Sequence, residues 1–120
     1  MADNVILDKS KALAIRFIRL YQYLTAERKE FVLSKQLLRS GTSIGANCRE
    51  AYRGQSLADF TAKLGIALKE AEESAYWLEL LLETDYITKE QFNSIYKDNE
   101  EVIKLLVSII KSTKIRNSYF

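Results

Sequence analysis

Not one of the 120 residues is proline, and only four are glycine. Proline fixes φ and removes a backbone donor, so a chain without it is free to run in long unbroken helices, and few glycines leave few sites for tight turns. Many short strands would need such turns, whereas a few long helices would not. The apolar residues agree with the second choice. Leu57, Phe60, Leu64, Ala67, Ala71, Ser74, Leu78 and Leu81 recur at steps of three and four without interruption, which is one face of a helix with 3.6 residues per turn.

Three further segments carry the same period. Leu13, Phe17, Leu20 and Leu24 predict a helix over residues 8–24, and Leu37, Gly41, Ile44, Cys48 and Ala51 predict one over 34–53. Phe92, Ile95, Asn99, Val102, Leu106 and Ile109 predict a last helix over 89–112, after the long one at 57–84. The joints read as caps. Ser34 is placed as an N-cap, Gly54 as a left-handed C-terminal cap, Ser56 with Asp59 as a capping box, and Thr88 with Gln91 as another. Residues 113–120 are expected to fray. Joints this short make consecutive helices antiparallel neighbours, so the expected fold is all-α: one domain over residues 1–120, an antiparallel up-and-down four-helix bundle.

Composition narrows the chemistry. The chain has no histidine, which removes the commonest general acid/base, the usual ligand of zinc and di-iron sites and every Ser-His or Cys-His pair. It also removes the Arg-x4-6-His motif of bundle ribonucleases, although Arg49 and Arg53 are present. One cysteine, Cys48, cannot form an internal disulfide and fits a reducing compartment. It lies on the small-residue face of the second helix, where a buried structural thiol is expected. No segment has the 18 or so uncharged apolar residues of a membrane span, and the start of the chain is not a signal peptide. The expectation is a cytoplasmic protein that is not an enzyme, with no cofactor, no metal and no membrane partner.

The run Ser40-Gly41-Thr42-Ser43-Ile44-Gly45-Ala46-Asn47-Cys48 holds two glycines inside a predicted helix, each costing about 1 kcal/mol relative to alanine. Close approach of a neighbouring helix offsets that cost. A phosphate cradle is the alternative, but the run lacks the Gly-Lys-Ser/Thr ending of a P-loop and follows no strand. Glu70 and Glu73 lie three apart on the third helix; Glu50, Asn47 and Ser43 are expected to form a polar seam with them or with a neighbouring subunit, or else both carboxylates face water.

Charge is unevenly spread. Residues 31–56 carry a net +3 and residues 57–87 a net −5. Lys35, Arg39, Arg49 and Arg53 fall within an arc of about 80° on the second helix, a single basic stripe. Lys111, Lys114 and Arg116 add a second basic patch, beside Tyr119 and Phe120, mixing phosphate-pairing charge with stacking rings. A solvated face with salt bridges to the acidic third helix is the competing interpretation. Tyr76, Trp77 and Tyr86, with Tyr52, Tyr21 and Tyr23, are more aromatic residues than the inside of a small bundle needs, and Tyr52, Tyr76 and Trp77 are placed at an oligomer interface.

Leu38-Arg39-Ser40-Gly41-Thr42-Ser43-Ile44-Gly45-Ala46-Asn47, then Glu50-Ala51, Asp59-Phe60, the run from Lys63 to Ala71 and the run from Glu73 to Leu78 together resemble the bacterial four-helix bundle protein family. Its founding members are encoded within intervening sequences of the 23S ribosomal RNA gene. The resemblance covers nearly the whole chain and implies a ring-like homopentamer with no established activity. It also implies a distant similarity to the accessory variability determinant of diversity-generating retroelements, a basic pentamer that binds nucleic acid and partners a reverse transcriptase. On these grounds the chain is expected to be a non-catalytic homo-oligomer that binds RNA or a ribonucleoprotein, or alternatively a protein-interaction scaffold that never touches nucleic acid.

Overall fold

A computed structural model describes the backbone of residues 2–119 and the side chains of residues 5–114. It contains four helices, α1 (Ala2–Ala26), α2 (Leu33–Tyr52), α3 (Leu57–Glu83) and α4 (Lys89–Tyr119). Contacts run α1 to α2, α2 to α3, α3 to α4 and α4 back to α1, with neither diagonal pair touching among the described residues. That is the antiparallel up-and-down square, drawn out into a rod of 52 × 22 × 22 Å. The α2–α3 turn and the C-terminus of α4 therefore share one end of the rod.

The predicted stripes face the core, with Leu20, Phe60, Phe92 and Ile109 half-buried at its margin; Leu57, taken as the first residue of the third stripe, is instead exposed at 43% because it starts α3 at the open end of the bundle. Leu13, Phe17 and Leu24 of α1, Leu37, Ile44, Cys48 and Ala51 of α2, Leu64, Ala67, Ala71, Leu78 and Leu81 of α3, and Ile95, Val102 and Leu106 of α4 form one continuous core. Two helices outrun their expected bounds. α1 begins six residues early because Ile6 and Ser10, both buried, extend its stripe by two turns; a polar residue in the stripe hides the continuity. α4 passes residue 112 to Tyr119 instead of fraying: Thr113 is buried, with its hydroxyl donating to the Ile109 carbonyl at 2.8 Å.

The caps follow the physics of orphan backbone groups, not always at the expected residue. Ser34 lies inside α2, not at its cap, and its hydroxyl donates to the Glu30 carbonyl at 2.8 Å. The Glu30 carboxylate does the capping, accepting the N–H groups of Val32 (3.1 Å), Leu33 (2.9 Å) and Ser34 (2.7 Å). Gly54 is not left-handed, since no glycine has positive φ among the described residues. Its lack of a side chain instead admits the Asp59 carboxylate, which a Cβ would strike. Ser56 accepts the Asp59 N–H at 3.0 Å, and Thr88 and Gln91 cap each other reciprocally at 2.8 and 3.1 Å.

At the opposite end two left-handed residues turn the chain, Lys29 (φ 55°) and Asp85 (φ 66°). Asp85 ends α3 with the N–H of Tyr86 reaching the Leu81 carbonyl (2.9 Å) and its own reaching Leu82 (3.1 Å), the Schellman pattern without its usual glycine. Arg28 ties the two loops together, donating to the carbonyls of Asp85 (3.1 Å) and Tyr86 (3.2 Å) beneath the Tyr86 ring.

Candidate nucleic-acid interface

The small-residue run of α2 is a packing surface. A Cβ at Gly41 would lie 2.5 Å from Phe17 Cγ, and one at Gly45 would lie 3.4 Å from the Ser10 backbone carbonyl. The two glycines thus receive Phe17 and Ser10, seven residues apart on antiparallel α1. On the α3 side, Ser40 and Ser74 share a hydroxyl hydrogen bond at 2.8 Å. Ile44 is buried between them, while Ala46 faces solvent. Ser43 and Asn47 bond back to the carbonyls of Arg39 and Ser43 (2.7 and 2.8 Å) and do not meet Glu70 or Glu73. Glu50 does not meet them either; it accepts from Lys63 at 3.1 Å.

What the α3 carboxylates do meet is the basic stripe. Arg39 spans Glu70, at 3.2 Å, and Glu73, which also accepts the Trp77 indole N–H at 2.9 Å. Arg39 is thereby drawn off the stripe, and Trp77 is half-buried against the core, not displayed at an interface. Tyr52 is likewise half-buried, its ring edge-on to Phe60 at 5.0 Å. Of the three aromatic residues placed at an interface, Tyr76 alone is exposed, at 55%.

The rest of the stripe divides by position. Lys35 lies about 27 Å along the helix from Arg53, near the other end of the rod. Arg49 and Arg53 face α1, where they meet Lys11, which sequence periodicity alone could not place beside them. With Leu7, Asp8 and Tyr52 these three cations line an open concavity of about 600 Å³. None of the three forms an ion pair within 4 Å among the described residues. Lys111 and Lys114 are exposed on the last turns of α4, and Lys114 borders a groove with Leu57, Ala58 and Ala62 at the start of α3. The antiparallel topology puts Arg49 and Arg53 of the stripe at the same end of the rod as Lys111 and Lys114. The side chains of Arg116, Tyr119 and Phe120 lie outside the described residues.

Such an end can hold a polyanion by charge, with phosphate contacts that position without specifying sequence. Burial pushes the Cys48 thiol up to about 11, outweighing the opposing influence of the Ser10 hydroxyl, and so keeps it protonated at neutral pH. Among the described residues no three Cys, Asp or Glu side chains gather as a metal site, and no helix is long and apolar enough to cross a membrane.

None of the curated proteins matches this chain. A solved structure does: a protein of unknown function from the S23 ribosomal protein family of Bacteroides thetaiotaomicron, 63% identical, with a TM-score of 0.91 over 92% of this chain and 99% of that one. The family model described as 23S rRNA-intervening sequence protein matches residues 2–108, which hold α1 to α3, the joints and the first part of α4, and the chain belongs to that family.

Proposed function

We propose that this protein is a non-catalytic, homo-oligomeric bundle of the cytoplasm that binds RNA through the basic end of its rod. The observation that carries the reading is the convergence of Lys11, Arg49 and Arg53 on one concavity, with no carboxylate within ion-pairing distance among the described residues. Lys111 and Lys114 extend the same end. The names of the family and of its solved member, which refer to 23S rRNA and to a ribosomal protein, make RNA the polyanion to test first. The histidine-free chain and the buried, protonated Cys48 support a role without catalysis.

The test is fluorescence anisotropy of a labelled structured RNA, titrated over a salt series with protein of known mass. Arg49→Glu with Arg53→Glu should weaken binding at least tenfold while Lys35→Glu changes it little. Equal loss in both would return the site to diffuse charge, and no binding at low salt would refute RNA binding. One observation favours the rival scaffold reading: Arg39 is held by Glu70 and Glu73, as expected of a stripe that serves internal salt bridges.

A further inference from the structure

Cations are expected in a site for a polyanion; a carboxylate among them is not. Asp8 of α1 is exposed and lines the same concavity as Lys11, Arg49 and Arg53. It is the one acid among the lining residues, because Glu50, next to Arg49 in the chain, turns to Lys63. Asp8 pairs with none of the three cations within 4 Å among the described residues, not even with Lys11 less than one turn along the same helix. The helix dipole does not account for it either. α1 begins at Ala2, so Asp8 stands in its second turn, and the favourable field of a helix N-terminus fades within the first.

This carboxylate repels a phosphate, but it attracts the N–H edge of a base. Its oxygens lie side by side and only accept hydrogen bonds. Of the RNA bases, guanine alone presents two adjacent donors, N1–H and the exocyclic amino group, whereas adenine, cytosine and uracil set a donor next to an acceptor that a carboxylate would oppose. The rest of the lining suits a nucleotide. Leu7 and Tyr52 are half-buried and offer apolar surface beside the charges, and a volume of about 600 Å³ falls within the range of small-ligand sites. Arg49 and Arg53 are one turn apart, about 6 Å along α2, which fits successive phosphates of a strand better than the one phosphate of a mononucleotide.

We infer that the concavity holds an unpaired guanosine of an RNA strand, its Watson–Crick edge on Asp8 and the flanking phosphates on Lys11, Arg49 and Arg53. The inference rests on the RNA reading above and adds base selection to it: the cations position the strand and Asp8 chooses the nucleotide. The guanosine is unpaired because a base pair would occupy the edge that Asp8 reads.

The test is anisotropy of a labelled all-uridine strand, compared with the same strand carrying one central guanosine, inosine or adenosine. Inosine keeps N1–H and lacks the exocyclic amino group. The guanosine strand should bind about fivefold or more tighter than the adenosine and all-uridine strands, with inosine between them. Asp8→Ala should abolish that preference and tighten binding of the all-uridine strand, since a repulsive charge is gone; Arg49→Ala should weaken all four strands and keep the preference. Equal binding of all four strands by the wild type, or a preference that survives Asp8→Ala, would overturn the inference and leave RNA binding standing. Displacement of the strand by guanosine monophosphate at equal concentration would overturn it in favour of a free nucleotide. No binding of any strand at low salt would remove both readings.

Discussion

Glu30 shows how much one side chain can decide without belonging to any stripe. Burial alone would raise its carboxyl pKa, but the N–H groups of Leu33, Ser34 and Val32 and the Ser34 hydroxyl outweigh burial and hold it below the ordinary glutamate value. The anion sits where the helix dipole of α2 is positive, and it satisfies three donors that would otherwise be orphaned. A carboxyl with a lowered pKa stabilises the fold above its unfolded-state value of about 4.3 and ceases to do so as pH falls through its folded value. Glu30→Gln should therefore cost about 1 kcal/mol at pH 7, in the range of other helix caps. In urea unfolding the gap between variant and wild type should close on acidification, and a gap that persists at pH 3 would show that the carboxylate charge is not what stabilises α2. Periodicity pointed to Ser34 because serine is a common cap; a glutamate reaching forward across four residues leaves no such pattern in the sequence.

Within and between helices, the apolar period was legible except where a polar residue, Ser10, interrupts it and where Leu57 lies at an open helix start; the polar partners were not. The stripes of all four helices could be drawn from spacing, because burial follows the 3.6-residue repeat whatever the neighbours are. Which carboxylate meets which cation depends instead on rotation and stagger between helices: Glu50 turns to Lys63, and Arg39 takes both Glu70 and Glu73. Asn99 belongs to the same class. It occupies a position in the α4 stripe, fully buried, with its amide nitrogen donating to the Ala71 carbonyl at 2.9 Å, while Oδ1 has no protein partner among the described residues. An unmet buried acceptor costs about 1–3 kcal/mol, so Asn99 lowers stability and locks α4 against α3 at one register, as single buried polar residues do in coiled coils. Asn99→Leu should raise the unfolding free energy by about 1 kcal/mol or more, seen as a higher urea midpoint with an unchanged m value. A lower midpoint would mean that the acceptor is satisfied by trapped water.

The whole rod is an object with two electrostatically different ends, and that property belongs to topology. Read along the chain, the basic residues of α2 and those near the C-terminus are two patches about sixty residues apart; the up-and-down path superposes them and adds Lys11 from α1. The same path separates Lys35 from Arg53 and surrenders Arg39 to α3, so four apparently equivalent cations have different fates. If the free cations meet RNA phosphates, their number is measurable without a structure of the complex. Each neutralised phosphate on a single strand contributes about −0.7 to the slope of log K against log salt. Lys11, Arg49 and Arg53 together should give a slope near −2, steeper where Lys111 and Lys114 also engage. Arg49→Ala should reduce the magnitude of that slope by somewhat less than 1 and weaken binding alike for unrelated sequences. Arg39→Ala should leave the slope unchanged, because its guanidinium is already neutralised by Glu70 and Glu73. A slope that falls equally for both variants would mean that RNA displaces the α3 carboxylates and that the whole stripe acts as one surface.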